Sequence, residues 1–497
     1  MVVDKPGISR SVVWNHLGKV SEYAIFFAST VVIARGLGVG GNGQLAGILS
    51  LVQLFVVLSA AGMEVSLNKY LPQDGGVNPG TRYLVARLLL LRLGLYIVVC
   101  AAAVLVLPRT FLRIGGDWPG FMYLIFALGF LRSAAPALGM LLVARFRTGH
   151  SALIGVTARG TELLILIWLM DSLGIPLVLG ILVAGTAIQV AGYAVASRAE
   201  WAGPSHRIPV LPVVAFGAIF WLNTVLDYFL GRQGDVMFLS LLRPESTSAS
   251  LYDVAYSIVQ IGLMVLTVGF GGVSLAALSR YAVSDRARMN VLYGVVVRIT
   301  SLVTIPVLCF LLVCSPDLLH IVYSSKYAAA VDVLRIIVCM RILSRLFATG
   351  ENADYLLALG RVWTVVGIGV VAACVAVSLH LLLIPRWGAI GAAWAGGTGV
   401  LLANALGGIA VVRLGGVILQ WRAWIRITAT AIVAALLSSL VPDTGAALVH
   451  LGLEAVVFFV SFAFLLSLMR PLHSEDLDAL RAAVGRLARP MQFYVKS

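Results

Sequence analysis

Apolar segments close to twenty residues long recur along almost the whole of this 497-residue chain. A helix of about 20 residues crosses the hydrocarbon core of a bilayer, and such a segment satisfies its backbone hydrogen bonds internally. With 60% hydrophobic and 12% charged residues, the chain also has about half the charge of a soluble globular protein. The sequence therefore predicts an all-α, polytopic integral membrane protein.

The apolar segments predict about 14 transmembrane helices with short connections between them. The longest connections, around 70–82, 197–210 and 315–327, are too short to form a domain. The polar start of the chain and the continuous array of spans that follows it do not have the form of a cleavable signal peptide. The predicted spans are 12–34, 43–68, 83–107, 119–143, 150–170, 174–196, 212–242, 248–279, 289–314, 328–349, 362–384, 388–412, 423–441 and 447–469.

Basic residues outside the spans are distributed unevenly between the two sides of the membrane. Successive connections lie on opposite sides of the membrane. The side that has both termini then has twenty basic residues, and the opposite side has six. The positive-inside rule then predicts that both termini are cytoplasmic, in a bacterial inner membrane. The net charge of +14 follows mostly from this topology. No nucleic-acid partner is expected, because binding of that kind needs a basic soluble surface.

A short internal repeat predicts how the spans are grouped. The tetrad Ser-Leu-Val-Gln at 50–53 leads to a basic-Tyr pair at 69–70, and Ser-Ile-Val-Gln at 257–260 leads to another at 280–281. About six spans separate the copies, so both copies have the same orientation, as in parallel-repeat transporters. We predict two pseudo-symmetric six-helix bundles and two extra C-terminal helices. The corresponding domains are an N-lobe at 1–210, a C-lobe at 211–415, the extra helices at 416–470 and a cytoplasmic amphipathic tail at 471–497.

Charged side chains inside the predicted spans need protein or water around them. Each would cost about 2.5–3.5 kcal/mol at the centre of a lipid-facing helix. Local pairing is one interpretation, since residues three apart share a helical face, and Arg87, Arg345 and Glu454 can snorkel to the interface. So many charges together indicate a hydrated interior. The pairs at this spacing are Lys19/Glu22, Arg159/Glu162, Arg232/Asp235 and Asp332/Arg335.

The first span has the clearest polar face. Asn15, Lys19 and Glu22 stand at positions i, i+4 and i+7, with His16 beside them. Gln53 and Gln260 occupy equivalent places in the two repeats. A helix that faced only lipid and apolar neighbours would not need such a stripe. We therefore expect the first span to line an aqueous cavity between the lobes.

Three motifs resemble the polysaccharide-transporter flippases of the multidrug/oligosaccharidyl-lipid/polysaccharide (MOP) exporter superfamily. The first is Ala34-Arg35-Gly36-Leu37-Gly38 with Gly43, followed by a span that closes on Lys69-Tyr70. The second is Ile321-Val322-Tyr323 with Lys326-Tyr327, and the third runs from Leu359-Gly360-Arg361 to Gly388-Ala389-Ile390-Gly391-Ala392-Ala393. The resemblance covers roughly residues 8–470. It departs at 39–42, where the aromatic residue that often precedes the second helix is missing.

This resemblance implies alternating-access transport of polyprenyl-diphosphate-linked oligosaccharide, undecaprenyl-linked in this family, for O-antigen, capsule or exopolysaccharide synthesis. It implies membrane lipids and other polysaccharide-assembly proteins as partners, with no cofactor and no metal. The predicted cavity and head-group residues are His16, Lys19, Glu22, Gln53, Arg132, Arg159, Arg232, Gln260 and Arg298. The predicted ion-coupling residues are Glu22, Glu64, Asp227 and Asp253.

Three other functions are alternatives to this one. An ion-coupled multidrug antiporter of the same superfamily would have twelve spans and an acidic or aromatic pocket for cationic drugs. Export of lipid II or teichoic-acid precursors is a further possibility within the flippase class. A polytopic polysaccharide polymerase or ligase would need a large periplasmic loop, yet no connection exceeds about fifteen residues. The sequence also has no paired nucleophile or metal-ligand spacing, so we do not expect an enzyme.

The charge distribution makes the topology testable. In a variant without the five native cysteines, Arg286→Cys should resist a membrane-impermeant maleimide in intact cells, whereas Lys326→Cys should react. Both should react after the membrane is permeabilised. Labelling of position 286 in intact cells would reverse the predicted orientation.

Overall fold

A computed structural model describes the chain from residue 6 to residue 469, except for 71–79, 107–121, 145–146, 199–209, 244, 268–274, 276–277, 283 and 420. Within these ranges the backbone forms α-helices, short 3₁₀ turns and connecting loops, without a strand. This confirms the all-α class. The predicted amphipathic tail lies outside the described residues.

The helices are distributed over two compact units, Met1–Asp253 and Val254–Ser497. Helix α9 begins in the first unit and ends in the second. The first unit contains α1 (Pro6–Ser59), α2 (Met63–Tyr70), α3 (Gly80–Val106), α4 (Met122–Ala144), α5 (Thr148–Trp168), α6 (Ile175–Ala196), α7 (Val210–Phe229), α8 (Arg232–Leu242) and the start of α9 (Ser246–Thr267). The second unit contains α10 (Arg286–Tyr323), α11 (Ala330–Arg345), α12 (Gly350–Ala358), α13 (Val362–Gly415), α14 (Trp421–Ser438) and α15 (Ala447–Met469).

Every predicted span lies on at least one of these helices. Among the described residues, eight helices are long and apolar enough to cross a membrane. The number rises to nine if α7 and α8, which meet at a 53° bend, form one broken span. Two of the eight, α1 and α13, are 54 residues long and each contains a non-helical glycine, so each covers two predicted spans. The chain is a multi-pass membrane protein, and the number fourteen stays a prediction.

The breaks in the two long helices fall inside two of the motifs described above, the one that ends at Gly38 and the one that contains Gly388. Gly38 has φ 67° and ψ −178°, and Gly388 has φ 54° and ψ −126°. A positive φ brings a Cβ too close to the backbone in most L-residues, whereas glycine adopts it at little cost. Each motif therefore supplies the residue at which one long apolar segment becomes two helices.

In the first unit, α7 packs on α1 through hydrogen bonds to backbone carbonyls. Trp221 Nε1 donates to the oxygen of Val57 at 2.8 Å, and the Tyr228 hydroxyl donates to the oxygen of Ser50 at 2.9 Å. Helices α7 and α8 follow the lobe boundary predicted at 210/211, and that boundary remains a prediction. Both α7 and α8 lie within the first compact unit.

The second unit contains a buried ion pair where the sequence predicted a side chain at the interface. Arg345 is 5% exposed, and its Nη2 lies 3.1 Å from Glu351 Oε1. Thr300 Oγ1 donates to the same carboxylate oxygen at 2.6 Å. The snorkelling predicted for Arg345 is therefore wrong, because α12 supplies a partner inside the protein. Glu454, also assigned to the interface, is 5% exposed as well.

Close packing in the first unit depends on Gly43, the glycine that opens the second half of α1. A Cβ at this position would overlap the carbonyl group of Ser246 at the start of α9. Asn42 Nδ2 donates to Ser250 Oγ at 2.9 Å in the same contact. Backbone atoms cannot move aside as a flexible side chain can. The two helices would therefore have to separate to accept a larger residue.

We expect Gly43→Ala to lower the unfolding free energy by about 1–3 kcal/mol, the usual range for overpacking. Thermal unfolding of the purified protein in detergent measures the change. The control is Gly94→Ala, because Gly94 is also helical and a Cβ there meets no atom within 4 Å. Equal unfolding temperatures for the two variants would show that the contact with Ser246 does not limit stability.

Candidate functional site

A cavity of about 630 Å³ opens inside the first unit. Helices α1, α4, α5 and α6 form most of its wall, and α8 contributes Gln233. The sequence-predicted residues that meet there are Lys19, Glu22, Gln53, Arg132 and Arg159. The other polar lining residues are Ser151, Thr186, Gln189, Tyr193 and Gln233.

On the α1 side of the cavity, Lys19 and Glu22 form the predicted pair. Lys19 Nζ lies 2.8 Å from Glu22 Oε2, and the side chains are 48% and 18% exposed. Glu22 fits against α5 because residue 155 is glycine, and a Cβ there would overlap the carboxylate. Gly18, one turn earlier, allows the same close approach to Ala152. Small residues thus bring α1 and α5 together and fix the carboxylate between them.

A second pair lies in the wall formed by α5 and α6. Arg159 Nη1 is 2.8 Å from Glu162 Oε2, and the Glu162 side chain is only 2% exposed. Glu162 occupies space left by Gly185 of α6, where a Cβ would overlap it. The carboxylate is therefore held inside the wall, while Arg159 itself lines the cavity. This pairing, predicted from the three-residue spacing, is confirmed.

Arg132 of α4 gives the cavity its positive charge. Its Nε is buried without a hydrogen-bond partner in the described part of the chain. Three cations (Lys19, Arg132 and Arg159) thus stand against two carboxylates that are already paired. A guanidinium has five N–H donors and cannot become neutral in a protein. Arg132 is consequently available to an anionic or hydrogen-bond-accepting ligand.

Arg232 and Asp253 form an ion pair near the cavity. Arg232 Nη2 lies 2.6 Å from Asp253 Oδ1, and Gln233, the next residue, lines the cavity. The sequence grouped Arg232 with Asp235, whose carboxylate accepts a hydrogen bond from Tyr252. Asp253, a predicted ion-coupling residue, therefore has a cationic partner from a neighbouring helix.

The remaining predicted coupling residues have different surroundings. Glu64 Oε1 is 2.5 Å from Arg92 Nη1, and Arg92 Nε also donates to Ser133 Oγ at 2.7 Å. This network joins α2, α3 and α4. Asp227 is exposed and accepts a hydrogen bond from Asn223 Nδ2 at 3.1 Å. Of the four candidates, only Glu22 lines the cavity.

The other candidates in the second repeat lie in the second unit. Gln260 Nε2 contacts Met264 Sδ at 3.8 Å. Arg298 is 5% exposed and borders a recess of about 10 Å³ together with Arg345. The lining of the cavity in the first unit includes neither residue. The side chain of His16 lies outside the described residues.

Sequence reasoning missed the uncharged polar wall. Thr186, Gln189 and Tyr193 of α6 all line the cavity. They stand at i, i+3 and i+7, which is the spacing of one helical face. That periodicity was available in the sequence as a signal. The site prediction rested mainly on charged residues, because a charge costs more than a neutral polar group in lipid.

The arrangement of helices matches solved structures over almost the whole chain. A lipid II flippase MurJ in an inward closed conformation aligns with a TM-score of 0.69 and 11% identity, covering 91% of this chain and 98% of MurJ. The chain has the MOP exporter fold. This confirms the fold that the resemblance of its sequence motifs implies.

Other structures with the MOP fold also match. An inward-facing multidrug resistance MATE family transporter aligns with a TM-score of 0.64 and 12% identity, covering 80% of this chain and 94% of that one. A MOP superfamily transporter from Pyrococcus furiosus, described as having a binding pocket of reverse polarity, aligns at 0.59 with 14% identity, covering 82% and 94%. Residues 146–332 match the family model described as "Polysaccharide biosynthesis protein". No curated protein sequence matches the chain.

The fit between Glu22 and Gly155 can be tested directly. Gly155→Ala would force Glu22 out of its place against α5, so we expect a lower unfolding temperature and a distorted cavity wall. Gly160→Ala on the same helix should keep or raise the unfolding temperature, because a Cβ at Gly160 meets nothing within 4 Å and alanine favours a helix by about 1 kcal/mol over glycine. Thermal unfolding in detergent measures both variants. Equal destabilisation by the two substitutions would contradict the packing argument.

Proposed function

We propose that this protein is a flippase that moves a polyprenyl-diphosphate-linked oligosaccharide, of the undecaprenyl class, from the cytoplasmic to the periplasmic leaflet. The uncompensated charge of Arg132 in a polar cavity is the observation that carries the proposal. The match of residues 146–332 to a polysaccharide biosynthesis family supports it. We assign the protein to the bacterial inner membrane, with O-antigen, capsule or exopolysaccharide assembly as its pathway.

The chemistry of the cavity suits the head group of such a lipid. A diphosphate is anionic and cannot cross hydrocarbon without a compensating environment. Arg132, Arg159 and Lys19 would supply charge-assisted hydrogen bonds to its oxygens. Gln53, Gln189 and other neutral polar groups of the wall suit the hydroxyls of a sugar. The volume of about 630 Å³ lies within the roughly 300–1,000 Å³ of small-molecule sites.

Transport requires that the head group be reached from each leaflet in turn, while the polyprenyl tail stays in lipid. Rocking of one helical bundle against the other is the usual means in folds built from repeats. Glu22 is our candidate for coupling, since it lines the cavity and pairs there with Lys19. Protonation of Glu22 would release Lys19 and add to the positive charge that faces the substrate.

A multidrug antiporter is the second candidate, because several matched structures are MATE transporters. The cavity argues against cationic drugs, since its cations outnumber its carboxylates. The two functions also predict different phenotypes. Loss of a flippase removes a surface glycan, whereas loss of an antiporter increases sensitivity to cationic drugs.

We expect Arg132→Glu to reduce surface glycan to less than a tenth of the wild-type amount at normal membrane abundance. At about 4 Å and an effective dielectric near 20, two like charges repel by about 4 kcal/mol, and about 1.4 kcal/mol corresponds to a factor of ten in binding. The test complements cells that lack the chromosomal copy of the gene. Binding of undecaprenyl diphosphate to the purified variant provides the direct measurement.

Two controls separate cavity charge from net charge and folding. Arg132→Lys keeps the cation and should keep most of the activity. Arg413→Glu makes the same change in net charge at an exposed position of α13 and should leave surface glycan unchanged. Full complementation by Arg132→Glu would refute capture of the diphosphate at this residue. If cells without the gene keep their glycan and become sensitive to cationic drugs, the antiporter is the better assignment.

A further inference from the structure

Three potential metal ligands meet in the second unit, where α10 and α15 lie side by side. Asp317 belongs to α10, and His450 and Glu454 belong to α15. One donor atom from each lies within 4.8 Å of the other two. The proposed flippase activity makes no use of this cluster.

The cluster lies at one end of the apolar contact between α10 and α15. His450 and Glu454 are one turn apart, and Phe458 and Phe462 follow at the same spacing on α15. Both phenylalanines are buried in a core that also contains Ile305 of α10. Residues four apart lie on one helical face. The face of α15 that buries the two phenylalanine rings against α10 therefore also presents His450 and Glu454 to α10.

The contacts of His450 favour a cation at its Nδ1. Nε2 lies 3.3 Å from the backbone oxygen of Val441, and this contact suits the tautomer that carries its hydrogen on Nε2, because a carbonyl oxygen accepts. Nδ1 lies 2.5 Å from Asp317 Oδ2. In that neutral tautomer these two atoms are both acceptors and repel each other. A second proton or a metal ion between them removes the repulsion.

Glu454 distinguishes between these two cations. It is 5% exposed, and its Oε2 has no hydrogen-bond partner in the described part of the chain. A second proton on His450 would be shared with Asp317 and would still leave Glu454 Oε2 without a partner. A divalent ion bound by a neutral His450 and two carboxylates leaves no net charge, and it gives Glu454 Oε2 a cation to coordinate.

We propose that Asp317, His450 and Glu454 bind a divalent transition-metal ion of the Zn²⁺ class, which joins α15 to α10. One imidazole nitrogen and two carboxylate oxygens form a common donor set for this ion. A histidine that binds a metal through one ring nitrogen usually donates the N–H of the other nitrogen to a carbonyl or carboxylate, which orients the ring. The contact of Nε2 with a backbone carbonyl is of this kind. Asp317 and His450 are partly exposed, which gives the ion a route in and leaves a position for water.

Binding requires the three donor atoms to adopt the spacing that the ion sets, and Asp317 must move for this. Tetrahedral bonds of about 2.0–2.1 Å place two ligand atoms about 3.3 Å apart, so Asp317 Oδ2 must move away from His450 Nδ1. Asp317 is the more exposed of the two side chains, at 30% against 16%. The Asp317 carboxylate is therefore the freer of the two to turn and open the site.

The test uses the full chain, purified in detergent with a histidine-free affinity tag and stripped with EDTA. Calorimetric titration with Zn²⁺ and visible absorption with Co²⁺ report the binding. We expect the wild type to bind one more equivalent than His450→Ala or Glu454→Gln, or to bind that equivalent at least tenfold more tightly. Zn²⁺ should raise the unfolding temperature of the wild type, whereas Mg²⁺ should not.

His320→Ala is the matched control, because His320 is exposed near the same end of α10 and lies outside the cluster. It should bind Zn²⁺ as the wild type does. If a substituted protein fails to fold, the Co²⁺ spectrum of the wild type decides, since nitrogen coordination changes its visible bands. Equal binding by the wild type and the folded Glu454→Gln variant would overturn the proposal. So would a wild type that binds no Zn²⁺, in which case a proton occupies the site.

Discussion

Hydrocarbon offers no hydrogen-bond partner to a polar group, and this constraint shapes every level of the structure. It requires helices, because their backbone groups are satisfied within the segment. It also requires polar side chains to find partners inside the protein. Arg92 with Glu64 and Arg345 with Glu351 are buried or half-buried pairs of this kind. Removal of one partner from such a pair would leave an uncompensated charge, which is more costly than the loss of the pair itself.

Glycine determines where those pairs can form. Gly155 leaves room for Glu22, and Gly185 leaves room for Glu162, so each carboxylate is held where two helices approach closely. Both carboxylates draw a cation towards the cavity wall. Small residues and charged residues therefore act together in this protein. The same close approach that gives van der Waals contact between helices also fixes the positions of the charges.

Two of the buried atoms that depart from this pattern of satisfied groups belong to charged side chains, and each carries a proposal. Arg132 Nε and Glu454 Oε2 have no hydrogen-bond partner in the described part of the chain. Their charges are opposite, so they suit opposite ligands: an anionic head group at Arg132 and a metal cation at Glu454. Buried polar groups in proteins are usually paired, which makes these exceptions informative about ligands that the chain itself does not supply.

The sequence by itself determined the helical class, the apolar segments that lie on the helices and two of the pairs formed within one helix. Lys19–Glu22 and Arg159–Glu162 were predictable because the helical period makes residues three apart neighbours. Gln53, Arg132 and Arg159 were predictable as interior residues because lipid excludes them, but their meeting in one cavity was not. Only the tertiary structure decided that Arg232 pairs with Asp253, that Arg345 is buried with Glu351, and that Asp317 meets His450 and Glu454. These contacts join different helices, and their formation depends on how the helices pack, which no local period in the sequence specifies.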